Sequence, residues 1–110
     1  MPAPMMPTQE MEEVVVQYYG EEQVTAIIGI KVDTKEADRI AHSVAEFDVI
    51  QDVFLVTGDM DIMAKARFPN YRGLKDFVLT HLAPIPGIKD TKTLMVVTTY
   101  KEAGVKREIG

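Results

Sequence analysis

The sequence contains no cysteine, and this absence removes several kinds of chemistry at once. Disulfide bonds, thiolate metal sites and cysteine nucleophiles are excluded, because each of them requires a thiol. The nitrogen ligands are limited to His42 and His81, and neither belongs to a Glu-x-x-His or His-x-x-x-His pair. Glycine-rich phosphate loops are also missing. We therefore predict no metal site, no cofactor and no catalytic residue, and we do not expect an enzyme.

Long apolar runs and an excess of basic residues are the next features that the chain lacks. No run reaches the roughly 18 apolar residues of a membrane span, and the first residues have neither the basic nor the apolar region of a signal peptide. The formal net charge of -5 does not suit a surface that neutralises phosphates. We expect a cytoplasmic protein that binds neither membranes nor nucleic acid directly.

What is present is one ordinary domain. With 110 residues, 46% hydrophobic and 26% charged, the chain has the composition of a globular protein and the length for a single core. We predict a leader over residues 1–22, a folded domain over 23–101 and a solvated, charged tail over 102–110. The β-prone run Val14–Tyr19 in the leader has two interpretations, an extra strand or arm that pairs with another subunit, or an extended segment on its own domain.

The periodicity of the domain predicts the order strand, helix, strand, strand, helix, strand. Residues 24–32 and 62–68 alternate in hydrophobicity as half-buried strands do, and residues 49–57 form a strand that is apolar on both faces. Asp33 and Asn70 have the character of helix N-caps. A long β-prone run ends the domain over residues 88–100. The apolar positions with helical spacing are Ala37, Ile40, Ala41, Val44 and Phe47 in the first helix and Leu74, Phe77, Val78, His81 and Leu82 in the second.

This order favours an α+β fold of the ferredoxin-like βαββαβ type, with a four-stranded antiparallel sheet and both helices on one face. The other face would then be bare. We predict that a second copy covers it, which gives a homodimer of the dimeric α/β barrel type. The apolar groups expected on the bare face are Thr25/Ile27, Val53/Leu55 and Leu94/Val96.

Three short motifs carry a resemblance to a known family. Gly58-Asp-Met-Asp61 follows a strand, and it is succeeded by Leu82-Ala-Pro-Ile-Pro-Gly-Ile88 and Thr93-Leu-Met-Val-Val97. In this order and spacing they resemble the effector domain of the Lrp/AsnC transcriptional regulators, the RAM domain, over about Val24 to Lys101. Full-length members carry a preceding helix-turn-helix domain, for which the chain has no room, so it resembles a stand-alone RAM domain.

The resemblance implies dimers built through the sheets, assembly of dimers into a higher oligomer such as an octamer of four dimers, and amino-acid effectors bound between dimers near the Gly-x-x-Asp turn. It also implies a full-length Lrp/AsnC regulator as a partner. A free amino acid needs N–H donors for its carboxylate and an acceptor for its ammonium, and the turn supplies both types of group. The predicted effector-binding residues are Thr57, Gly58, Asp59, Met60, Asp61, Thr91 and Thr93.

Two other functions stay open at this point. One is a small cofactor-free enzyme, of the oxygenase or isomerase type, on a dimeric ferredoxin-like barrel; it requires titratable groups in a cleft, such as His81 beside a carboxylate. The other is a structural partner that joins rings of regulators without any ligand. In that interpretation the turn is an ordinary hairpin connection, because glycine and aspartate are common turn residues.

Overall fold

The computed structural model describes residues 23–107, so the predicted leader and its strand Val14–Tyr19 lie outside the described residues. Within them the chain folds into a four-stranded antiparallel sheet in the order β2-β3-β1-β4. This strand order and the two helical connections confirm the predicted ferredoxin-like fold. The strands are β1 (Val24–Val32), β2 (Ile50–Leu55), β3 (Ile62–Phe68) and β4 (Ile88–Met95).

Both residues that the sequence marks as caps start helical structure, Asp33 at a 3₁₀ turn ahead of the first helix and Asn70 directly at the second. The Asp33 carboxylate accepts from the Lys35 N–H at 3.4 Å, and a 3₁₀ turn (Thr34–Glu36) leads into α1 (Ala37–Ala45). The Asn70 side chain accepts from the Gly73 N–H at 2.8 Å, which satisfies a donor that the first turn of α2 (Tyr71–Asp76) leaves without an intrahelical partner. A π-helical segment, Phe77–Leu82, continues α2.

The core lies between the helices and one face of the sheet. Every second residue of β1 and β3 is buried there, as the alternation predicts, and the helices add their apolar stripes. The Phe68 and Phe77 rings lie 5.5 Å apart, and Phe77 meets Phe47 edge-on at 5.0 Å. The buried residues are Val24, Ala26, Ile28, Ile30, Val32, Ala37, Ile40, Val44, Ile62, Ala64, Ala66, Phe68, Leu74, Phe77 and Leu82.

The side-chain directions of β2 differ from the prediction. Val53 pairs with Ala64 and Leu55 with Ile62, so both lie on the helix side of the sheet and not on the bare face. The cause is an irregularity of register between Ile50 and Asp52, where one extra residue reverses the alternation that follows. Phe54 takes the place on the bare face instead. Strand β2 is also an edge strand. It is not covered on both faces as its apolar residues predict, and Leu55 stays exposed.

The π-helical segment explains why His81 is not on the apolar stripe. In an α-helix the residue four positions after Phe77 would return to the core, but here the Ala83 N–H donates to the Val78 carbonyl five residues back, at 2.9 Å. The wider turn leaves His81 outside the core, whereas Leu82, which belongs to the same predicted stripe, is buried as predicted. The imidazole stays about half exposed beside Phe47 and Phe77.

The last predicted strand is shorter than expected, and part of the predicted tail is folded. Strand β4 ends at Met95, although the Val96 N–H still donates to the Thr25 carbonyl at 2.9 Å. Beyond it, β5 (Lys101–Glu102) and β6 (Val105–Lys106) form a hairpin. Its turn has Ala103 and Gly104 at φ of 51° and 80°, the left-handed values of tight hairpin turns. The domain boundaries themselves stay a prediction.

Candidate functional site

The face of the sheet opposite the helices carries no element of the described chain except the hairpin at one end. Cross-strand pairs such as Ile27 with Leu94 and Phe54 with Met63 lie on this side. Phe54 and Leu94, which lie on the two edge strands of this face, are both more than half exposed, and large apolar groups left uncovered on one face are typical of an interaction surface. We call this the open face; its residues are Thr25, Ile27, Gly29, Lys31, Asp52, Phe54, Met63, Lys65, Arg67, Asp90, Lys92, Leu94 and Val96.

The turn between β2 and β3 holds five of the seven predicted site residues, Thr57–Asp61, and it is tied to β1. The Val56 N–H donates to the Asp61 carbonyl at 2.9 Å, and the Asp61 N–H donates to the Ile30 carbonyl at 3.1 Å. Gly58 has φ of 137°, a conformation that side chains rarely adopt. Among residues 23–107, the backbone N–H groups of Gly58, Asp59 and Met60 donate no hydrogen bond. The turn therefore presents free donors on a fixed backbone.

Asp61 has a structural task that the sequence did not reveal. Its Oδ2 accepts from the Val32 N–H at 2.9 Å and so completes the end of β1. The exposed Asp59 instead uses only its main-chain carbonyl, which accepts from Lys31 Nζ at 3.2 Å. Of the two carboxylates, Asp59 is the one that is free to meet an ammonium group.

Exchanging Asp61 for alanine should therefore lower the free energy of unfolding by about 1–2 kcal/mol, because the Val32 N–H loses its acceptor. Asp59→Ala is the matched control, with an expected change within about 0.5 kcal/mol. Urea denaturation of both variants measures the difference. Equal stability of the two would show that the bond to Val32 contributes nothing.

Lys31 is a member of the turn region that sequence reasoning missed. It occupies an open-face position of β1 and places its ammonium against the turn. In the sequence, Lys31 was visible only as a polar residue in an alternating strand. Its position beside Asp59 depends on the pairing of β1 with β3. An ammonium next to free N–H groups is the arrangement that binds a carboxylate.

Gly29 allows Met60 to lie on the open face. A methyl group at position 29 would come within 2.9 Å of Met60 Cγ, so only glycine leaves room for this side chain above the sheet. Met63 shares the space. Met60 is half-buried as a result, and it connects the turn to the open face.

The structure separates Thr91 and Thr93 from the turn. They pair with Ile30 and Ile28 on the edge of β1 that is opposite to β3, about two strand spacings or ~10 Å away. Thr93 faces the helix side, where it lines an apolar groove of about 270 Å³ with residues of α2 and Met95. Within one protomer the seven residues thus form two groups.

A cluster of charges that the sequence did not predict lies at the other end of the open face. Glu102 Oε2 accepts from Lys65 Nζ and, at 2.8 Å, from Arg67 Nη2, while Oε1 accepts from Arg107 Nη2 at 2.7 Å. The Glu102 side chain is 14% exposed, so it does not belong to a solvated tail. The hydrogen bond from Lys65 is the main reason that the pKa of Glu102 falls to about 2; the charges of Lys65 and Arg67 act in the same direction, and partial burial opposes them.

This lowered pKa has a predictable consequence for stability. The folded-state pKa lies below the ordinary value of 4.5, so Glu102 stabilises the fold above that value and loses its contribution as the pH falls from 4.5 towards about 2. Glu102→Gln should be less stable than wild type at neutral pH, and the difference should vanish near pH 2. Chemical denaturation across this range measures it, with Glu46→Gln as an exposed control. A difference that does not depend on pH would contradict the prediction.

Among residues 23–107, neither histidine has a carboxylate oxygen within hydrogen-bonding distance. His81 Nε2 lies 3.9 Å from Asp76 Oδ2, too far for a hydrogen bond, and both side chains are at least half exposed on the helix surface. His42 is exposed on α1. Within the described part of the chain, no three His, Asp or Glu side chains are grouped to hold a metal ion. Among residues 23–107, no helix has the length and apolar character that a membrane crossing requires.

Comparison with known proteins agrees with the fold. A family model described as the Lrp/AsnC ligand binding domain matches residues 25–105. The HTH-type transcriptional regulator FL11 of Pyrococcus horikoshii is 35% identical over 77 residues, which are 70% of this chain and 50% of FL11. Fold and sequence thus define a regulatory ligand-binding domain. The chain belongs to the Lrp/AsnC family, as the resemblance implied.

Solved structures give the same fold. The chain superposes on Escherichia coli AsnC with a TM-score of 0.69 at 19% identity, covering 99% of this chain and 66% of AsnC. A Neisseria meningitidis transcriptional regulator, solved as its L-Met complex, gives 0.68 at 21% identity and coverages of 97% and 65%. The chain spans about half the length of the curated relatives that it matches first.

Proposed function

We propose that this protein is a non-enzymatic amino-acid effector-binding module that modulates transcription through assembly with Lrp/AsnC-type regulators. The observation that carries the proposal is the anchored turn 57–61. Among residues 23–107, its Asp59 carboxylate and the N–H groups of residues 58–60 have no hydrogen-bond partner, and the Lys31 ammonium lies against the Asp59 main chain. The N–H groups and Lys31 bind the effector carboxylate, and Asp59 accepts from its ammonium. The Neisseria meningitidis regulator, solved as its L-Met complex, supports an amino acid as the ligand.

Assembly is the second part of the proposal. Two copies pack their open faces together, because Phe54, Leu94 and the apolar groups around them are left uncovered in one protomer. Dimers then join into a higher oligomer, such as four dimers, in which Thr91 and Thr93 of one protomer approach the turn of a neighbour. An effector shifts this assembly only by its differential affinity for the assembled state, and a full-length regulator can enter the same assembly.

A thermal-shift screen of the common amino acids at millimolar concentration tests the effector site. At 100 times the dissociation constant, the best ligand should stabilise the fold by about 2.7 kcal/mol, which raises the melting temperature by roughly 10 °C or more for a domain of this size. Asp59→Asn and Lys31→Gln should abolish most of this shift. Asp48→Asn removes an exposed carboxylate outside the turn, and it should respond as wild type does.

If no amino acid moves the melting temperature or the oligomer distribution, the protein is not an amino-acid receptor, and the structural-partner function takes its place. Asp59 is the better position for this test than Asp61, because Asp61 also holds the end of β1. A shift that survives in Asp59→Asn and Lys31→Gln would place the effector elsewhere.

A further inference from the structure

Strand β4 has a free outer edge in the described part of the chain, because it is the last strand of the sheet and pairs only with β1. The Val96 N–H donates to the Thr25 carbonyl at 2.9 Å. Bonded and non-bonded pairs alternate along an antiparallel ladder, so every second residue before Val96 also bonds to β1. The main-chain N–H and C=O groups of Thr91, Thr93 and Met95 therefore point away from the sheet. Such a row of groups is a template for another strand.

Two charged residues flank the centre of this edge. The exposed Asp90 lies opposite Lys31 of β1, and its Oδ1 accepts from the outward N–H of Thr91 at 2.9 Å. The exposed Lys92 lies on the same side of the strand opposite Gly29, and among residues 23–107 its ammonium makes no ion pair. The margin of the sheet thus carries a carboxylate and an unpaired ammonium, one on each side of Thr91.

These charges favour one register for pairing with β4 of a second copy. An antiparallel ladder must place the outward residues of one strand opposite outward residues of the other. With Thr91 opposite Thr91 of the second copy, Asp90 faces Lys92 twice, once on each side of the two-fold axis. A slip of two residues in one direction brings Asp90 opposite Asp90, and a slip in the other direction brings Lys92 opposite Lys92. Like charges directly opposite each other destabilise a strand pair, so both slipped registers are disfavoured.

We propose that the β4 strands of two copies pair antiparallel about Thr91 and join one open-face dimer to the next. The Thr91 N–H then donates to the Thr91 carbonyl of the second copy in place of its bond to Asp90, and the released carboxylate binds Lys92 across the new ladder. This inference rests on the proposed assembly of dimers and describes how they join.

The pairing is compatible with the other proposed contacts. It continues the sheet sideways, so it does not displace the copy that covers the open face. The side chains of Thr91 and Thr93 lie on the helix side and outside the new ladder, where they remain available to the turn of a further protomer. The contact is short, and it gains strength because each dimer carries two β4 edges and is held at both. A monomer lacks this gain.

Exchange of the two charges tests the register. Asp90→Lys and Lys92→Asp each place two like-charge pairs across the ladder, so each should weaken the association of dimers about tenfold or more and sediment as dimers. The double variant Asp90→Lys/Lys92→Asp restores both pairs with reversed polarity, and it should assemble as wild type does. An equimolar mixture of the two single variants should also assemble, because each supplies the charges that complement the other. Asp48→Lys is the control for a charge reversal at an exposed position outside the edge.

A disulfide tests the axis directly, because the chain has no cysteine of its own. The two Cα atoms of residue 91 would lie about 5.5 Å apart, within the range that a disulfide spans, so Thr91→Cys should form a covalent dimer on oxidation. Thr93→Cys is the matched control on the same side of the same strand. Its counterpart in the second copy would lie about 13 Å away along the strand, so it should not cross-link. Non-reducing electrophoresis measures both products.

Three results would overturn the edge contact while leaving the open-face dimer and the effector site in place. The wild type could remain a dimer at every concentration, the single charge variants could assemble as it does, or Thr93→Cys could cross-link as readily as Thr91→Cys. A wild-type protein that is monomeric at every concentration would instead overturn the proposed assembly and the edge contact together. The amino-acid screen tests the effector site separately from all of these measurements.

Discussion

Leu94→Glu is expected to convert the assembled protein into a monomer without unfolding it. Leu94 is 56% exposed in the protomer, so a carboxylate there remains hydrated and costs the monomer little. In the proposed dimer the same carboxylate would be buried without a partner. Such burial costs several kcal/mol, and about 3 kcal/mol already weakens the dimer more than 100-fold.

The control for this variant is Leu79→Glu, the same exchange on the other side of the sheet. Leu79 is 62% exposed on α2, where it lines the apolar groove that also contains Thr93. This variant should keep at least the dimer. Analytical ultracentrifugation of both proteins over a range of concentrations gives the two association constants. If the Leu94→Glu protein assembles like wild type, the open face is not the dimer interface.

Leu82→Ala should have the largest effect on folding, a loss of about 2–5 kcal/mol in the free energy of unfolding. Leu82 is fully buried at the end of the π-helical segment, and truncation leaves a cavity against the sheet. Leu79→Ala removes the same atoms three residues earlier at an exposed position, and it should change stability by no more than about 0.5 kcal/mol. Urea denaturation distinguishes them; equal losses would mean that Leu82 contributes no more to the core than the exposed Leu79 does.

The fold could be predicted because its signals are local. The strict alternation of β1 and β3 and the caps Asp33 and Asn70 are visible in single stretches of sequence, and they specify the strand and helix order. The errors arose where one residue is inserted into a regular repeat. The irregularity in β2 moved Val53 and Leu55 to the helix side, and the π-helical turn left His81 outside the core while Leu82 stayed in it.

The site was less predictable, because its contacts join distant parts of the chain. The turn was identified from its glycine and aspartates, but only the pairing of β1 with β3 brings Lys31 beside Asp59 and assigns Asp61 to the Val32 N–H. The Glu102 cluster joins residues more than 30 positions apart, and each of its members looked like an ordinary surface charge. The role proposed for Thr91 and Thr93 involves neighbouring protomers, which no spacing in one chain describes.

The place of Met60 above Gly29 has a consequence for how the protein would respond to an effector. This side chain belongs to the turn, yet it rests on the surface that a second copy is proposed to cover. A ligand that repositions the turn therefore changes the surface offered to the partner, and the partner in turn restricts the turn. The effector dose–response curve should then move with protein concentration, so that the midpoint measured in dilute solution differs from that in a crowded cell.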